Sequence, residues 1–295
     1  MKNTTKFKQL LHSPEILVIP VAHDPLGARI VEQTGFSAVG CAGYATSAAL
    51  LGAPDIGLLT LTEMADAVAR MADAVDLPVW ADGDNGHGNT INVRRTVRLM
   101  ERAGAASLML EDQVSPKRCG HMAGKSVVPV AEFISKIKAA VDARDDEDFT
   151  ILARTDALAV GGVSAAVDRA ARAVEAGADW VFVEAPRDLD QLRRIPRLFE
   201  APTLANMIPG GATPLLPAAD LQQMGYAAVV WPTAFTYTYA AAVAATAKEL
   251  RGTGMVMPDP DTMVSFDEFS DVVGLSGIRA TERLDTTDEG RSQDS

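Results

Sequence analysis

The chain has 295 residues, of which 47% are hydrophobic and 22% are charged, so it can bury a large core as one large domain or two small ones. Its net charge of −12 argues against nucleic acid or an anionic membrane as the main partner, because both require a basic surface. The N-terminus lacks the apolar run of a signal peptide, and no segment is long and apolar enough to span a membrane. We therefore expect a soluble, cytoplasmic protein that binds neither nucleic acid nor membrane.

Short β-rich segments alternate with longer amphipathic segments along most of the chain, which is the pattern of a parallel sheet. The predicted strands are, in chain order, residues 16–20, 37–42, 77–82, 106–111, 149–154, 179–184, 202–206 and 227–232. The clearest predicted helices between them are residues 61–75, 92–104, 131–144 and 163–177. Eight such units in about 250 residues match the size of a (β/α)8 barrel. A doubly wound open sheet is the alternative, but no GxGxxG sequence follows the first strand to support it.

The repeat stops after Arg251. The following residues are rich in Met, Phe and Val and have only a weak helical pattern. We expect a barrel catalytic domain at residues 1–252, and a C-terminal helical extension with an acidic disordered tail at residues 253–295. The apolar side of this extension must be buried either on a neighbouring subunit or on its own barrel, and the sequence leaves both open.

Polar residues follow the predicted strands at the point where each strand ends. They are Asp82 and Asp84, Glu111 and Asp112, Arg154 and Asp156, Glu184, and Asn206. Active sites of (β/α)8 barrels lie at the carboxyl ends of the strands, and polar groups there are costly to bury unless they are paired or bind a ligand. We therefore expect these side chains to converge on one mouth of the barrel.

Three of these carboxylates have the composition of a magnesium site. Mg²⁺ prefers oxygen ligands and is commonly held by one or two carboxylates together with water and substrate. Strand alternation would direct Asp82 and Asp84 to the same side, and Glu111 lies on the next strand. The alternative is that the aspartates only cap a helix or form turns, but a set spread over two strands favours a metal site.

One of the two cysteines has an unusually polar setting. Cys119 follows Lys117 and Arg118 and precedes His121, in a loop with several glycines. The two cations are expected to stabilise the thiolate and to lower the pKa of Cys119. The loop composition suits a mobile lid, whereas Cys41 reads as an inert buried thiol. A single Cys and His supply too few ligands for a zinc site, and without framework spacing we expect free thiols rather than a disulfide.

Six motifs, "ADGDNGHGN", "LEDQ", "PKRCGH", "ARTDA", "FVEAP" and "LANM", lie on successive predicted strands and loops. In this respect the chain resembles the isocitrate lyase and phosphoenolpyruvate mutase superfamily over residues 7–250, and within it the short-chain branch of 2-methylisocitrate lyase, 2,3-dimethylmalate lyase and carboxyphosphonoenolpyruvate mutase. The resemblance implies a (β/α)8 barrel, a Mg²⁺ cofactor with Mn²⁺ as an alternative, and a homotetramer in which the last helix is exchanged between subunits.

The resemblance also implies roles for individual residues. It implies that Asp82, Asp84 and Glu111 hold the metal, mostly through water. The catalytic residues expected on this basis are Cys119, Arg154, Asp55, His121 and Lys117. The residues expected to contact the substrate are Ala42, Gly43, Tyr44, Arg118, Gly120, Glu184, Asn206, Gly210, Gly211 and Thr213. Two positions depart from the family pattern, since relatives usually carry Ser or Thr at Ala42 and often Tyr at His23.

The activity implied by the resemblance is Mg²⁺-dependent cleavage of a carbon–carbon bond in a 2-hydroxy di- or tricarboxylate such as 2-methylisocitrate or dimethylmalate. The products would be a 2-oxo acid and a second carboxylic acid. Members that cleave such a bond carry the cysteine, so Cys119 would protonate the carbanion that cleavage leaves. A phosphonate enzyme and an oxaloacetate hydrolase or decarboxylase remain alternatives, and a non-catalytic binding barrel is disfavoured by the intact set of carboxylates and Cys119.

Overall fold

A computed structural model describes residues 1–122 and 124–291 of the chain, with side chains described up to Leu284. Buried runs of alternating side-chain direction form eight strands in this part of the chain. They are β1 (Leu17–Ala22), β2 (Val39–Cys41), β3 (Val79–Asp82), β4 (Ala105–Glu111), β5 (Thr150–Thr155), β6 (Trp180–Val183), β7 (Leu204–Asn206) and β8 (Ala228–Trp231). Each of the eight predicted strands overlaps one of them.

The strands are parallel and lie side by side in the order β6-β5-β4-β3-β2-β1-β8-β7. A parallel bridge between Val181 in β6 and Thr203, next to β7, joins the two ends of this order. The strands therefore form a nearly closed barrel, and the predicted (β/α)8 fold is confirmed against the open-sheet alternative.

Each strand is followed along the chain by at least one helix. In the described residues they are α1 (Asn3–Leu11), α2 (Pro25–Gln33), α3 (Gly43–Leu51), α4 (Leu61–Ala74), α5 (Thr90–Arg102), α6 (Val130–Val141), α7 (Leu158–Glu175), α8 (Leu189–Arg194), α9 (Ala218–Met224), α10 (Ala234–Thr253), α11 (Phe266–Val272) and α12 (Leu275–Arg291), with a 3-10 helix at Ile195–Leu198. The four helices singled out from the sequence correspond to α4 to α7. Reciprocal capping hydrogen bonds begin α4, where Thr60 and Glu63 each accept from the other's backbone N–H.

Apolar side chains fill the barrel and support its catalytic end. Ile19, Trp80 and Leu152 belong to the interior cluster and are at most 2% exposed. Phe7 of α1 joins this cluster at the opposite end, where its ring meets Trp180 edge to face at a centroid distance of 5.7 Å. Helix α1 thus closes the amino-terminal end of the barrel, which leaves the carboxyl-terminal end for chemistry.

The chain divides into two compact units, Met1–Tyr237 and Thr238–Ser295. In the second unit, α11 begins with a capping box formed by Ser265 and Glu268. Large apolar side chains of this unit are exposed in the single chain, including Phe266 at 85%. The predicted division at residue 252 stays a prediction. Helix α12 extends into the predicted tail as far as Arg291, and residues 292–295 lie outside the described residues.

No helix in the described part of the chain is long and apolar enough to cross a lipid bilayer.

Candidate active site

A buried pocket lies at the carboxyl ends of the strands, where the sequence places its polar residues. It is lined by Ala42, Tyr44, Asp55, Trp80, Asp82, Met109, Cys119, Gly120, Arg154, Phe182, Glu184, Asn206, Ile208, Val230, Pro232 and Thr233. Nine of these were predicted as site residues, and they come from segments spread over more than 160 positions of the chain. The barrel topology brings them together because parallel strands end at the same edge.

Arg154, at the end of β5, lies among three buried carboxylates. Its Nε donates to Asp156 Oδ2 over 3.0 Å, its Nη2 lies 3.1 Å from Glu184 Oε2, and its Nη1 lies 3.4 Å from Glu111 Oε2. The guanidinium also lies over the Phe182 ring, 5.4 Å from its centroid. These contacts fix the guanidinium plane against the pocket wall, where it can stabilise negative charge that develops on a ligand.

Asp156, which fixes Arg154, is itself held by groups below the pocket. Its backbone N–H donates to Asp112 Oδ1 over 2.9 Å. The other oxygen of Asp112 accepts from the Thr155 hydroxyl at 2.6 Å and from Arg169 Nη1 at 3.1 Å. Asp112 and Asp156 are both fully buried, so this network is shielded from solvent and orients the arginine.

Asp82 and Asp84 lie at the end of β3 and just after it, close to the side chains of Asp55 and Lys117. Asp82 accepts from the backbone N–H groups of Gly43 and Asp84, each over 3.0 Å. Strand alternation, on which we based the expectation that the two carboxylates face the same side, does not extend to Asp84, because β3 ends at Asp82 and Asp84 adopts a left-handed φ of 48°. Lys117 Nζ lies 2.6 Å from Asp55 Oδ1 and 2.7 Å from Asp84 Oδ1. A strained, non-glycine left-handed residue of this kind persists when its surroundings hold it, and such residues concentrate at functional sites.

Glu111 provides an oxygen without a protein partner. The carboxylate is 2% exposed, and its Oε1 accepts no hydrogen bond within the described residues. Burial raises the pKa of Glu111 well above its usual value, against the lowering influence of Arg154 and Lys117. In the described part of the chain, no group of three His, Cys, Asp or Glu side chains is arranged to ligate one ion directly.

The surroundings of Cys119 differ from those expected. Burial raises the pKa of its thiol, whereas the sequence predicted that flanking cations would lower it. That prediction is wrong because Lys117 pairs with Asp55 and Asp84, and because Arg118 is exposed and does not line the pocket. The Cys119 thiol therefore stays protonated at neutral pH.

His121 joins the cysteine loop to the loop after β7. Its Nδ1 accepts a hydrogen bond from the Ala212 backbone N–H over 2.9 Å. In the neutral ring the proton therefore lies on the other nitrogen, Nε2. Nε2 is 3.2 Å from Glu184 Oε1. Burial alone would raise the pKa of Glu184, but Arg154 and His121 hold it at about 2. Glu184 is thus a permanent anion against the pocket. It also lies 3.3 Å and 3.4 Å from the side-chain nitrogen of Asn206.

The structure does not bring every predicted residue to the pocket. Gly211 contacts the site indirectly, because a Cβ there would overlap the His121 ring. Gly210 is exposed, Thr213 is buried, and neither lines the pocket. His23 also stands outside its lining, next to Asp24, whose side chain caps α2 by accepting from the Gly27 N–H over 2.7 Å.

The apolar part of the pocket was missed from the sequence. Trp80, Met109, Phe182 and Val230 read as ordinary core residues of buried strands, yet their side chains line the pocket. Thr233 lies at its edge and its hydroxyl has no hydrogen-bond partner in the described residues. One signal for these residues was available in the sequence. They lie shortly before the carboxyl ends of their strands, at positions whose side chains, by strand alternation, face the barrel interior.

The nearly closed ring of strands and the charged pocket at their carboxyl ends define a protein of the (β/α)8-barrel class with its pocket where such barrels carry their active sites. A family model described as phosphoenolpyruvate phosphomutase matches residues 7–251. The 2,3-dimethylmalate lyase of Eubacterium barkeri is 44% identical over 282 residues, which cover 96% of this chain and 98% of that protein. The chloroplastic carboxyvinyl-carboxyphosphonate phosphorylmutase of Arabidopsis thaliana is 45% identical over 276 residues, covering 92% of this chain and 81% of that protein. The chain therefore belongs to the phosphoenolpyruvate mutase family, as the motifs predicted.

Solved structures extend this relationship to the whole chain. An oxaloacetate acetylhydrolase bound to 3,3-difluorooxalacetate superposes with a TM-score of 0.92 at 32% identity, covering 97% of both chains. A 2,3-dimethylmalate lyase, described as a member of the PEP mutase/isocitrate lyase superfamily, has a TM-score of 0.91 at 33% identity, covering 96% of this chain and 95% of that one. A phosphonopyruvate hydrolase complex with oxalate and Mg²⁺ has a TM-score of 0.85 at 29% identity, covering 96% and 99%. The protein is an enzyme of this lyase and mutase superfamily.

Proposed function

We propose that the protein cleaves a carbon–carbon bond in a 2-hydroxy dicarboxylate or tricarboxylate and releases a 2-oxo acid and a second carboxylic acid. The observation that carries the proposal is a half-buried thiol, Cys119, in the same pocket as the Arg154 guanidinium and the carboxylates of Asp82 and Glu184. A protonated thiol has the form that a carbon-protonation step requires, and the arginine suits a substrate that gains charge on oxygen.

The proposed reaction is a retro-aldol (retro-Claisen-type) cleavage. The hydroxyl of the substrate loses its proton, the bond between the hydroxyl-bearing carbon and its neighbour breaks, and a carbonyl forms. The electron pair of the broken bond passes to the neighbouring carbon, where the adjacent carboxylate delocalises it. Cys119 then donates its proton to that carbon, which gives the second carboxylic acid and a thiolate that must be reprotonated for the next turnover.

Several groups are placed to bind and polarise such a substrate. Arg154 would stabilise the oxygen that changes from alkoxide to carbonyl. Helix α3 begins at Gly43 without a side-chain cap, and Tyr44 of its first turn lines the pocket, so its N-terminus would hold the carboxylate of the oxo acid. The N–H of Gly43 already donates to Asp82, which leaves this contact to the following N–H groups. Asp55, whose pKa burial raises, would take up the hydroxyl proton.

The pH dependence of cleavage follows from the raised pKa of Cys119. The general acid is present below the pKa of the thiol and is lost above it, so raising that pKa extends activity to higher pH. We expect the alkaline limb of the kcat/KM profile to lie above the value of 9.0 for an ordinary thiol, and to disappear in Cys119→Ser. A limb that lies below 9.0 in the wild type, or one that persists unchanged in the variant, would contradict this role.

The carboxylates at the ends of β3 and β4 fit a bound Mg²⁺. The donors are hard oxygens, and the buried Glu111 Oε1 lacks a hydrogen-bond partner in the described residues. Asp82, Asp84 and Glu111 would hold the ion, mostly through water; Mn²⁺ could replace it. When bound, a divalent ion supplies positive charge that polarises the oxygen atoms of the substrate.

Replacing one of these carboxylates should weaken metal binding without changing the pocket shape. In Glu111→Gln the orphaned oxygen is retained and the negative charge is removed. We expect the Mg²⁺ concentration for half-maximal activity to rise about 10- to 100-fold, and calorimetry to show weaker Mg²⁺ binding in the absence of substrate. Glu63→Gln, at the exposed start of α4, is the matched control. Identical Mg²⁺ titrations of Glu111→Gln and wild type would place the ion elsewhere.

The apolar side chains that line the pocket favour a substrate with alkyl substituents. The side chains of Trp80, Met109, Phe182, Ile208 and Val230 form its apolar part. Together with the 44% identity to a 2,3-dimethylmalate lyase, this supports 2,3-dimethylmalate as the first substrate to test. A single methylene changes preference by only about 1 to 3 kcal/mol, so related acids belong in the same experiment.

The test is incubation of the purified protein and Mg²⁺ with a panel of acids. The panel contains 2,3-dimethylmalate, 2-methylisocitrate, isocitrate, oxaloacetate and phosphonopyruvate, and 2-oxo acid products are trapped as hydrazones. Pyruvate or glyoxylate release from a 2-hydroxy acid, abolished by EDTA, is the expected result. Turnover of oxaloacetate alone would favour the hydrolase activity suggested by the TM-score of 0.92. A phosphorus NMR change on phosphonopyruvate alone would favour the phosphonate chemistry suggested by the 45% identity to a phosphorylmutase.

The proposal extends to the assembly of the enzyme in the cytoplasm as a homotetramer. It is supported by the exposed apolar side chains of the C-terminal unit, such as Phe266 and Ile278, which a neighbouring subunit would cover. The two free cysteines agree with a reducing compartment. Sedimentation equilibrium should give four times the chain mass of 31.2 kDa, and a monomer mass would refute this assembly.

A further inference from the structure

Lys125 is a buried cation next to the pocket, and the proposed mechanism gives it no role. Its side chain is 3% exposed, and its ammonium donates to two acceptors. One is Asp156 Oδ1, at 2.6 Å, and the other is the backbone carbonyl oxygen of Gly120. A buried ammonium needs such partners, and charge-assisted hydrogen bonds are the stronger and more directional kind.

The first acceptor connects Lys125 to the arginine of the pocket. Asp156 receives Arg154 through both oxygens, at 3.0 Å from Nε and 3.3 Å from Nη2. Its Oδ1 is therefore shared between the Lys125 ammonium and the Arg154 guanidinium. If the lysine ammonium moves, the Asp156 carboxylate loses a positively charged partner and can change its position. Asp156 is the carboxylate that orients Arg154.

The second acceptor connects Lys125 to the residue next to the catalytic thiol. Gly120 lies so close to Arg154 and Glu184 that a Cβ added there would overlap both side chains. The base of this loop is fixed separately, because Gln113 forms an antiparallel bridge with Val127. The Gln113 side chain also bonds the backbone N–H and carbonyl of Arg118, over 3.0 Å and 2.8 Å. Lys125 thus holds Gly120 in a way that the anchors at the base do not replace.

We infer that Lys125 is a positioning residue that fixes the distance between Cys119 and Arg154. It does so by binding Gly120, next to the thiol, and Asp156, behind the guanidinium. The inference rests on the proposed function for the roles of those two groups. The general acid and the oxyanion-binding group must act on neighbouring atoms of one substrate, so their spacing determines the rate. A misplacement of about 1 Å can cost about 100-fold in rate.

The chain offers a matched control at the other end of the barrel. Arg144 Nη1 also donates to one backbone carbonyl, that of Phe149 at 3.0 Å, and to one carboxylate, that of Asp179 at 2.7 Å. These partners lie at the starts of β5 and β6, away from the pocket. Lys125→Met and Arg144→Met therefore remove the same two kinds of hydrogen bond, and only the first removes them beside the proposed catalytic groups.

The first measurement is steady-state cleavage with saturating Mg²⁺. We expect Lys125→Met to lower kcat about 100-fold, with KM within about threefold of wild type, because the positions of reacting groups change more than the binding of the substrate. Arg144→Met should keep both constants within about threefold. Urea unfolding of each variant establishes that it folds, and Lys125→Gln replaces Lys125→Met if the latter does not.

The second measurement is the rate at which iodoacetamide alkylates Cys119 in the full-length protein with Mg²⁺, located by peptide mass spectrometry. Cys41 is fully buried with its pKa raised to about 12 by burial, so it does not compete. We expect alkylation to be about tenfold faster in Lys125→Met, because loss of a hydrogen bond to a charged group makes opening of the loop about tenfold more favourable. The alkylation rate should be unchanged in Arg144→Met. A kcat within about threefold of wild type, or an alkylation rate within about twofold, would overturn the inference. If the wild type cleaves no acid of the panel, the proposed function fails, while the alkylation rates still decide whether Lys125 holds the loop beside Cys119.

Discussion

Cys119→Ser should fold and bind Mg²⁺ like the wild type but lose carbon–carbon cleavage by about 100- to 10,000-fold in kcat, the range that a general acid contributes. A serine hydroxyl has the same shape as the thiol and is a much weaker acid, so proton transfer to carbon fails while the pocket remains. The measurement is pyruvate release under single-turnover conditions, which separates chemistry from product release.

Cys41→Ser is the matched control for this variant. Cys41 ends β2, is fully buried, and lies 3.7 Å from the Thr46 hydroxyl, away from the lining of the pocket. Its replacement should leave kcat within about threefold of wild type, whatever it costs in stability. Cleavage by Cys119→Ser at the rate of this control would remove Cys119 from the mechanism.

Arg154→Met should cost both stability and activity. The arginine is the partner of three buried carboxylates, those of Glu111, Asp156 and Glu184, at distances between 3.0 Å and 3.4 Å. Breaking a buried ion pair by removing one partner typically costs about 3 to 5 kcal/mol, because the remaining charge stays buried without compensation. We expect the free energy of unfolding in urea to fall by about that amount, and kcat to fall at least about 100-fold.

Arg154→Lys separates the two effects. An ammonium restores positive charge among the carboxylates but cannot bond to all three from the positions of a planar guanidinium. The variant should therefore regain most of the stability that Arg154→Met loses, and little of the activity. Full activity in Arg154→Lys would show that a point charge is sufficient at this position, and would contradict the geometric role given to the guanidinium.

The barrel could be predicted from the sequence because its signals are local. Each of the eight strands is a short buried run, and the four helices singled out from the sequence, α4 to α7, have a clear apolar period. The positions of Asp82, Glu111, Arg154 and Glu184 followed from the same pattern, since parallel strands of a barrel present their carboxyl ends at one mouth. These predictions needed no knowledge of which side chains touch.

The partners within the site could not be predicted because they depend on contacts between distant segments. Lys117 precedes Cys119 by two residues, yet its ammonium lies between Asp55 and Asp84 rather than beside the thiol. The pKa of Cys119 is consequently governed by burial, and the expected lowering is reversed. Neighbours in sequence are a poor guide to charge–charge contact in a folded loop, because side chains that follow one another point in different directions.

The link between His121 and the loop after β7 was hidden for the same reason. Ala212, whose backbone N–H donates to His121, lies 91 residues further along the chain. The Glu184 carboxylate on the other side of the imidazole ring belongs to a third segment. The apolar residues of the pocket, such as Trp80, gave no polar signal at all. Their available signal was strand alternation, which places Trp80 on the same face as Asp82, two residues later.

The most direct test of the proposed mechanism is cleavage of 2,3-dimethylmalate in D₂O with Mg²⁺. The propionate product is converted to an ester of an enantiopure alcohol, in which proton NMR distinguishes the two hydrogen positions at C2. Cleavage by the proposed route gives pyruvate and propionate, with one deuterium at C2 of propionate, because the thiol of Cys119 exchanges with solvent before it protonates that carbon. The account predicts deuterium on one face of C2 only in the wild type, and propionate formation slowed by about 100- to 10,000-fold in Cys119→Ser. Propionate formed at an undiminished rate by the variant, or deuterium on both faces in the wild type, would contradict proton delivery by a fixed thiol in this pocket.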